Sequence, residues 1–130
     1  MLFILEDDHD RTTAFKRAIV DRPHHVERTV PEAIAWLRRH KDEVTLYSLD
    51  NDLIVPDYDG DEGEGWQLCK WILANAVKRP IICHTTNSPA GEKMKLACSD
   101  AEWPFQRVVP YNGSEWIAGA WIGVVEEMLP

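Results

Sequence analysis

Residues 44–53 read "VTLYSLDNDL". The first six, mostly apolar, β-branched or aromatic, predict a short strand buried on both faces. The run then stops at Asp50-Asn51-Asp52, two carboxylates with an amide between them. The same figure opens the chain, where "LFIL" (2–5) runs into Glu6, Asp7 and Asp8. It recurs after Pro80, where "IICHT" brings up His84 and Thr85, with Thr86 and Asn87 next. Weaker strands are expected at 24–29 ("HHVERT") and 107–109 ("RVV"). Helical periodicity fills the intervals, at 9–20, 31–41, 66–77, 88–100 and 114–128. Pro31 and Pro89 suit the first turns of two of these helices. Five strands alternating with five helices predict a doubly wound, mostly parallel α/β sheet. In such a sheet functional groups collect at the carboxyl ends of the strands.

The remaining composition limits the function classes. At 130 residues the chain is expected to form one domain, 1–130. A net charge of −8 argues against binding a nucleic-acid duplex unaided and suits capture of a divalent cation. Cys69, Cys83 and Cys98 fall within predicted helices or a strand without framework spacing, as reduced thiols of a cytoplasmic protein would. The four-residue apolar run at the start lacks a basic flank and is not expected to be a signal peptide. No apolar run approaches the ~20 residues of a membrane span. The segment 54–65 carries Pro56, three glycines and five acids, and is expected to be a loop. It is a poor calcium loop, because Glu62 stands where that motif requires glycine.

Acids thus gather on two strand ends, and hydroxyl, imidazole and amide groups on a third. Carboxylates held together raise one another's pKa, and a hard cation with oxygen ligands relieves them. Mg²⁺ (or Mn²⁺) is the expected cofactor, and its open positions invite a phosphate. A plainer reading exists for each residue. For Asp50 and Asp52 it is a bond to a turn's own backbone, for His84 a satisfied buried histidine, and for Asn87 a helix cap.

In order and spacing, "FILEDD" before a helix, "SLD" and "PIICHT" resemble the receiver domain of response regulators. That resemblance implies a flavodoxin-like (βα)₅ fold with strand order 2-1-3-4-5. It implies Glu6, Asp7 and Asp50 at the metal, Asp50 as phosphoacceptor, and Thr85 at the phosphoryl group. The lysine that receivers carry before the strand-five proline is absent, since Val109 precedes Pro110. "SLDNDL", "HTTN" and "GEKM" are more similar to a divergent branch named for cyclic-phosphate processing. The chain matches that branch at Asp50, Asp52, Leu53, His84, Asn87, Gly91 and Met94, and departs at Asn51, where the branch usually has histidine. Three functions are implied. One is a phosphoesterase for a cyclic or nucleotide phosphate, with Asp50, His84 and Asp52 catalytic and Thr85 and Asn87 binding phosphate. Another is a stand-alone receiver, phosphorylated on Asp50 by a histidine-kinase-type phosphodonor. The third is a non-catalytic interaction module.

Overall fold

The computed structural model describes residues 1–111 and 113–129. Five strands form one parallel sheet: β1 (Leu2–Leu5), β2 (His24–Glu27), β3 (Leu46–Leu49), β4 (Ile81–Cys83) and β5 (Phe105–Arg107). Their order is β2-β1-β3-β4-β5, the flavodoxin-like arrangement. The helices are α1 (His9–Ala18), α2 (Val30–His40), α3 (Gly65–Asn75), α4 (Ser88–Asp100) and α5 (Ile122–Met128). A π-helical turn, Ile117–Trp121, leads directly into α5.

Strand alternation sorts the core onto two faces. Phe3, Leu5, Tyr47, Leu49, Ile81 and Cys83 pack with Leu37 of α2, Leu68 and Ile72 of α3, and Met94 and Cys98 of α4. Leu2, Ile4, Leu46 and Ile82 pack the other way, against Phe15 of α1 and Trp116, Trp121 and Val125 at the last helix. Ser48 shares that second face by alternation and is fully buried there. All three cysteines are free and buried.

The helix starts are fixed by local caps. Asp8 accepts from the Arg11 amide at α1, Thr29 from Glu32 at α2, and Asn87 from Ala90 at α4. A reciprocal Glu64–Gln67 box opens α3. The structure moves the fifth strand from the expected 107–109 to 105–107. The reason is register: β4 pairs Ile81 with Phe105 and Cys83 with Arg107. Val108 still donates to the Cys83 carbonyl before the chain leaves the sheet. Among the described residues no helix is long and apolar enough to cross a membrane.

Candidate functional site

The carboxyl ends of β1 and β3 lie side by side, because Leu5 pairs with Leu49 and the Asp50 amide donates to the Leu5 carbonyl. Glu6 and Asp50 therefore meet at one end of the sheet. Both are buried, at 0% and 5% exposure. One ligand atom each from Glu6, Asp50 and His84 lies within 4.8 Å of the others. Above them opens a cavity of about 520 Å³, lined by Asp7, Asp8, Asp10, Arg11, Asp50 and Asp52, with Pro110 and Tyr111 on its far side.

Burial, with smaller additions from Glu6 and Asp7, pushes the Asp50 carboxyl up to about 7 from its usual 3.8. The nearby His84 and the Asn51 amide pull it back only in part. Burial likewise raises Glu6 to about 7, against the Asp8 amide and the Arg11 charge. Two hard oxygen donors share a dry site where ionisation is costly. That donor set fits a small divalent cation better than a soft one.

Asp7 stands beside this pair, half-buried, and its Oδ2 accepts from the Ile54 amide at 2.9 Å. Asp52 is exposed and lines the same cavity as Asp50. Asn51, between them, turns the other way: its Oδ1 accepts from the Trp66 amide, and its Nδ2 donates to Asp52 and Glu64. The residue that replaces the branch's histidine thus staples the start of α3. Asn87 donates to Asp52 at 3.2 Å while its Oδ1 caps α4. Thr85 is 2% exposed, and its hydroxyl oxygen accepts from the Asn87 amide. Neither Thr85 nor Asn87 is among the residues lining the cavity.

His84 lies beneath the site, not in its opening. Its ring is wholly buried, with Phe15 at 5.0 Å and Trp116 at 5.8 Å between centroids. Nε2 lies 3.1 Å from Glu6 Oε1 and Nδ1 lies 2.7 Å from Ser48 Oγ, which also accepts from the Trp121 indole at 2.9 Å. An indole only donates, which leaves the Ser48 proton free for Nδ1; in the tautomer that uses it, Nε2–H donates to Glu6. Burial pulls the imidazole down to about 4, so at neutral pH it is uncharged. In this arrangement His84 holds Glu6 in place.

Residues 1–100 match the family described as "Cyclic-phosphate processing Receiver domain". The chain belongs to this family. No curated protein matches it in sequence. The fold of this receiver is similar to that of a two-component response regulator from Clostridium difficile, at 19% identity and a TM-score of 0.71, covering 98% of this chain and 93% of that one. It is also similar to the receiver domain of NtrX from Brucella abortus (16% identity, TM-score 0.69, 99% and 98% covered). The BeF3-activated receiver domain of RstA from Klebsiella pneumoniae gives 15% identity and a TM-score of 0.68, with 98% and 97% covered.

Arg107 turns toward α4, donating from Nη2 to the Thr85 carbonyl and packing on Gly91. The cation at the acids is Arg11, with Nη1 3.9 Å from both Glu6 Oε2 and Asp50 Oδ2. Sequence reading missed Arg11, Ser48 and Trp121. Arg11 carried one signal: a basic residue in a helix's first turn opposes the macrodipole and needs another reason to be there.

Proposed function

We propose that residues 1–130 act as a single receiver-like domain that holds Mg²⁺ (or Mn²⁺) through Glu6, Asp7 and Asp50 and processes a cyclic or nucleotide phosphate ester beside it. The observation that carries this reading is the convergence of Glu6 and Asp50, two buried carboxylates with raised pKa values, of which Asp50 lines a cavity that Asp52 also lines. The family match supports the ester as substrate class. When bound, the cation would neutralise the carboxylates and polarise phosphate oxygens. Asp52, exposed on the cavity wall, is the group placed to take a proton from an attacking water. Water then adds across one P–O ester bond, the leaving alkoxide is protonated, and a monoester results. Asn87 orients Asp52, the Thr85 hydroxyl orders the turn into α4, and His84 serves by fixing Glu6.

A second reading is favoured by one observation: the enclosure of His84 removes the imidazole from direct contact with a substrate. On that reading Asp50 accepts a phosphoryl group from a phosphodonor such as a histidine kinase. The test is a panel of 2′,3′- and 3′,5′-cyclic nucleotides with Mg²⁺ or Mn²⁺, run beside acetyl phosphate with intact-mass detection. Asp52→Asn is expected to lower ester turnover on the order of 10²-fold. No turnover on any ester, with stoichiometric phosphorylation of Asp50, would leave only the second reading.

A further inference from the structure

The acidic cavity has one cation among the described residues that line it, and that cation is held loosely. The Arg11 guanidinium lies 3.9 Å from Glu6 and 3.9 Å from Asp50, beyond hydrogen-bond length, and its side chain is 29% exposed. Among the described residues its side chain donates to no protein acceptor, although a guanidinium carries five N–H groups in a rigid fork. It also sits in the first turn of α1, where the helix dipole disfavours a positive charge. Arg107, at the end of β5, donates to the Thr85 carbonyl and packs on Gly91 of α4, and it does not line the cavity. Beyond the last strand Val109 precedes Pro110, so no lysine reaches the site from that side.

We propose that Arg11 is the anion-binding residue of this site. It screens Glu6 and Asp50 while the cavity is empty, and grips the oxygens of a tetrahedral phosphate once a metal has taken over the carboxylates. This rests on the proposed Mg²⁺ and phosphate reading and adds the group that recognises the anion. Planar bidentate donors suit phosphate oxygens, so Lys cannot fully replace Arg here. The guanidinium and a metal ion compete for the same carboxylates. Removing Arg11 therefore has two effects of opposite sign, tighter metal and weaker anion, which general damage to the fold would not give.

The experiment compares wild type, Arg11→Ala and Arg11→Lys by calorimetry, first with Mg²⁺ alone. Beryllofluoride, which occupies Asp50, and a 2′,3′-cyclic nucleotide, which is diffusible, are then titrated at saturating Mg²⁺. Arg11→Ala is expected to bind Mg²⁺ about 3- to 10-fold more tightly. It should bind at least one of the two anions about 10-fold or more weakly, with Arg11→Lys between it and wild type. Loss confined to beryllofluoride assigns Arg11 to an acyl phosphate on Asp50; loss confined to the nucleotide assigns it to a free ester. Both anions binding Arg11→Ala as they bind wild type would overturn the proposal alone. Weaker Mg²⁺ binding in Arg11→Ala would overturn it as well, making Arg11 structural. A wild type that binds neither Mg²⁺ nor either anion would remove the underlying reading together with it.

Discussion

Glu6 and Asp50 hold protons in the folded chain that the unfolded chain releases near pH 4, because burial raises both to about 7. Stability from this source is present in full below their ordinary pKa values and is lost as pH rises through about 7. His84 works the other way: its ring stays neutral down to about 4 when folded, so its contribution is lost as pH falls below the usual 6.5. The two trends oppose each other in mildly acidic solution. Above about pH 6.5 only Glu6 and Asp50 of these three groups titrate. From linkage, each then gives up roughly 0.8 kcal/mol between about pH 6.5 and pH 8, or about 1.6 kcal/mol for the pair. The metal-free protein is expected to melt about 6 °C lower at the higher pH. Asp50→Asn should flatten that slope and raise the melting temperature at about pH 8, and saturating Mg²⁺ should flatten it in the wild type. Scanning calorimetry across this interval decides it: a melting temperature that rises would mean that both acids have ionic partners in the fold. Glu6, Asp7, Asp50 and Asp52 were legible in the sequence because a parallel sheet sends its strand ends to one edge. Arg11 and the Ser48 bridge were not, since which side chains meet behind β1 depends on how α1 and the last helix pack.

Elements were legible where periodicity was long, as in α3 and α4, and less so where neighbours set the register, as in β5. The turn between β3 and α3 shows what sequence alone conceals. Two of its acids serve its own backbone, Glu62 accepting from the Val55 amide and Asp61 from the Gly63 amide, while the Glu62 main-chain carbonyl accepts from Val30 of α2. The loop then returns so closely that the Gly65 amide donates to the Asn51 carbonyl. A Cβ on Gly65 would lie 1.7 Å from the Asp50 carbonyl oxygen, which is backbone and has nowhere to go. Composition marked this glycine only as part of a loop, yet it is the residue that lets α3 start against Asp50. Gly65→Ala should cost about 3 kcal/mol or more, lowering the melting temperature by roughly 10 °C and weakening Mg²⁺ binding by moving Asp50. Gly123→Ala is the control, since a Cβ there meets nothing within 4 Å in the exposed side of α5. It should stabilise by about 0.5–1 kcal/mol. If Gly65→Ala melts like wild type in the same urea and heat series, the close approach does not exist in solution.

Across the whole molecule, one buried polar path joins the last helix to the strand-end acids through an otherwise apolar layer. Trp121, at the end of the π-helical turn, donates to Ser48 of β3; Ser48 contacts His84 beyond β4; His84 contacts Glu6 beyond β1. Trp121, Ser48, His84 and Glu6 are all 0% exposed, so water cannot stand in for a lost partner. Truncating one member therefore orphans the next, and the penalty belongs to the orphan as much as to the lost bond. Trp121→Phe removes the indole N–H and some packing, at about 2–3 kcal/mol. Ser48→Ala strands both the indole N–H and His84 Nδ1, at about 2–4 kcal/mol. In the double variant the indole no longer has a proton to strand, so part of the serine penalty disappears. The combined cost should fall short of the sum by about 1 kcal/mol or more. Urea unfolding of the four proteins measures that coupling directly. The same series read by Mg²⁺ titration should show each single variant binding a few-fold more weakly, because Glu6 loses the fixed imidazole that aims it. Strict additivity in stability, with Mg²⁺ affinity unchanged in Ser48→Ala, would separate the last helix from the site and reduce the path to four neighbours that happen to touch.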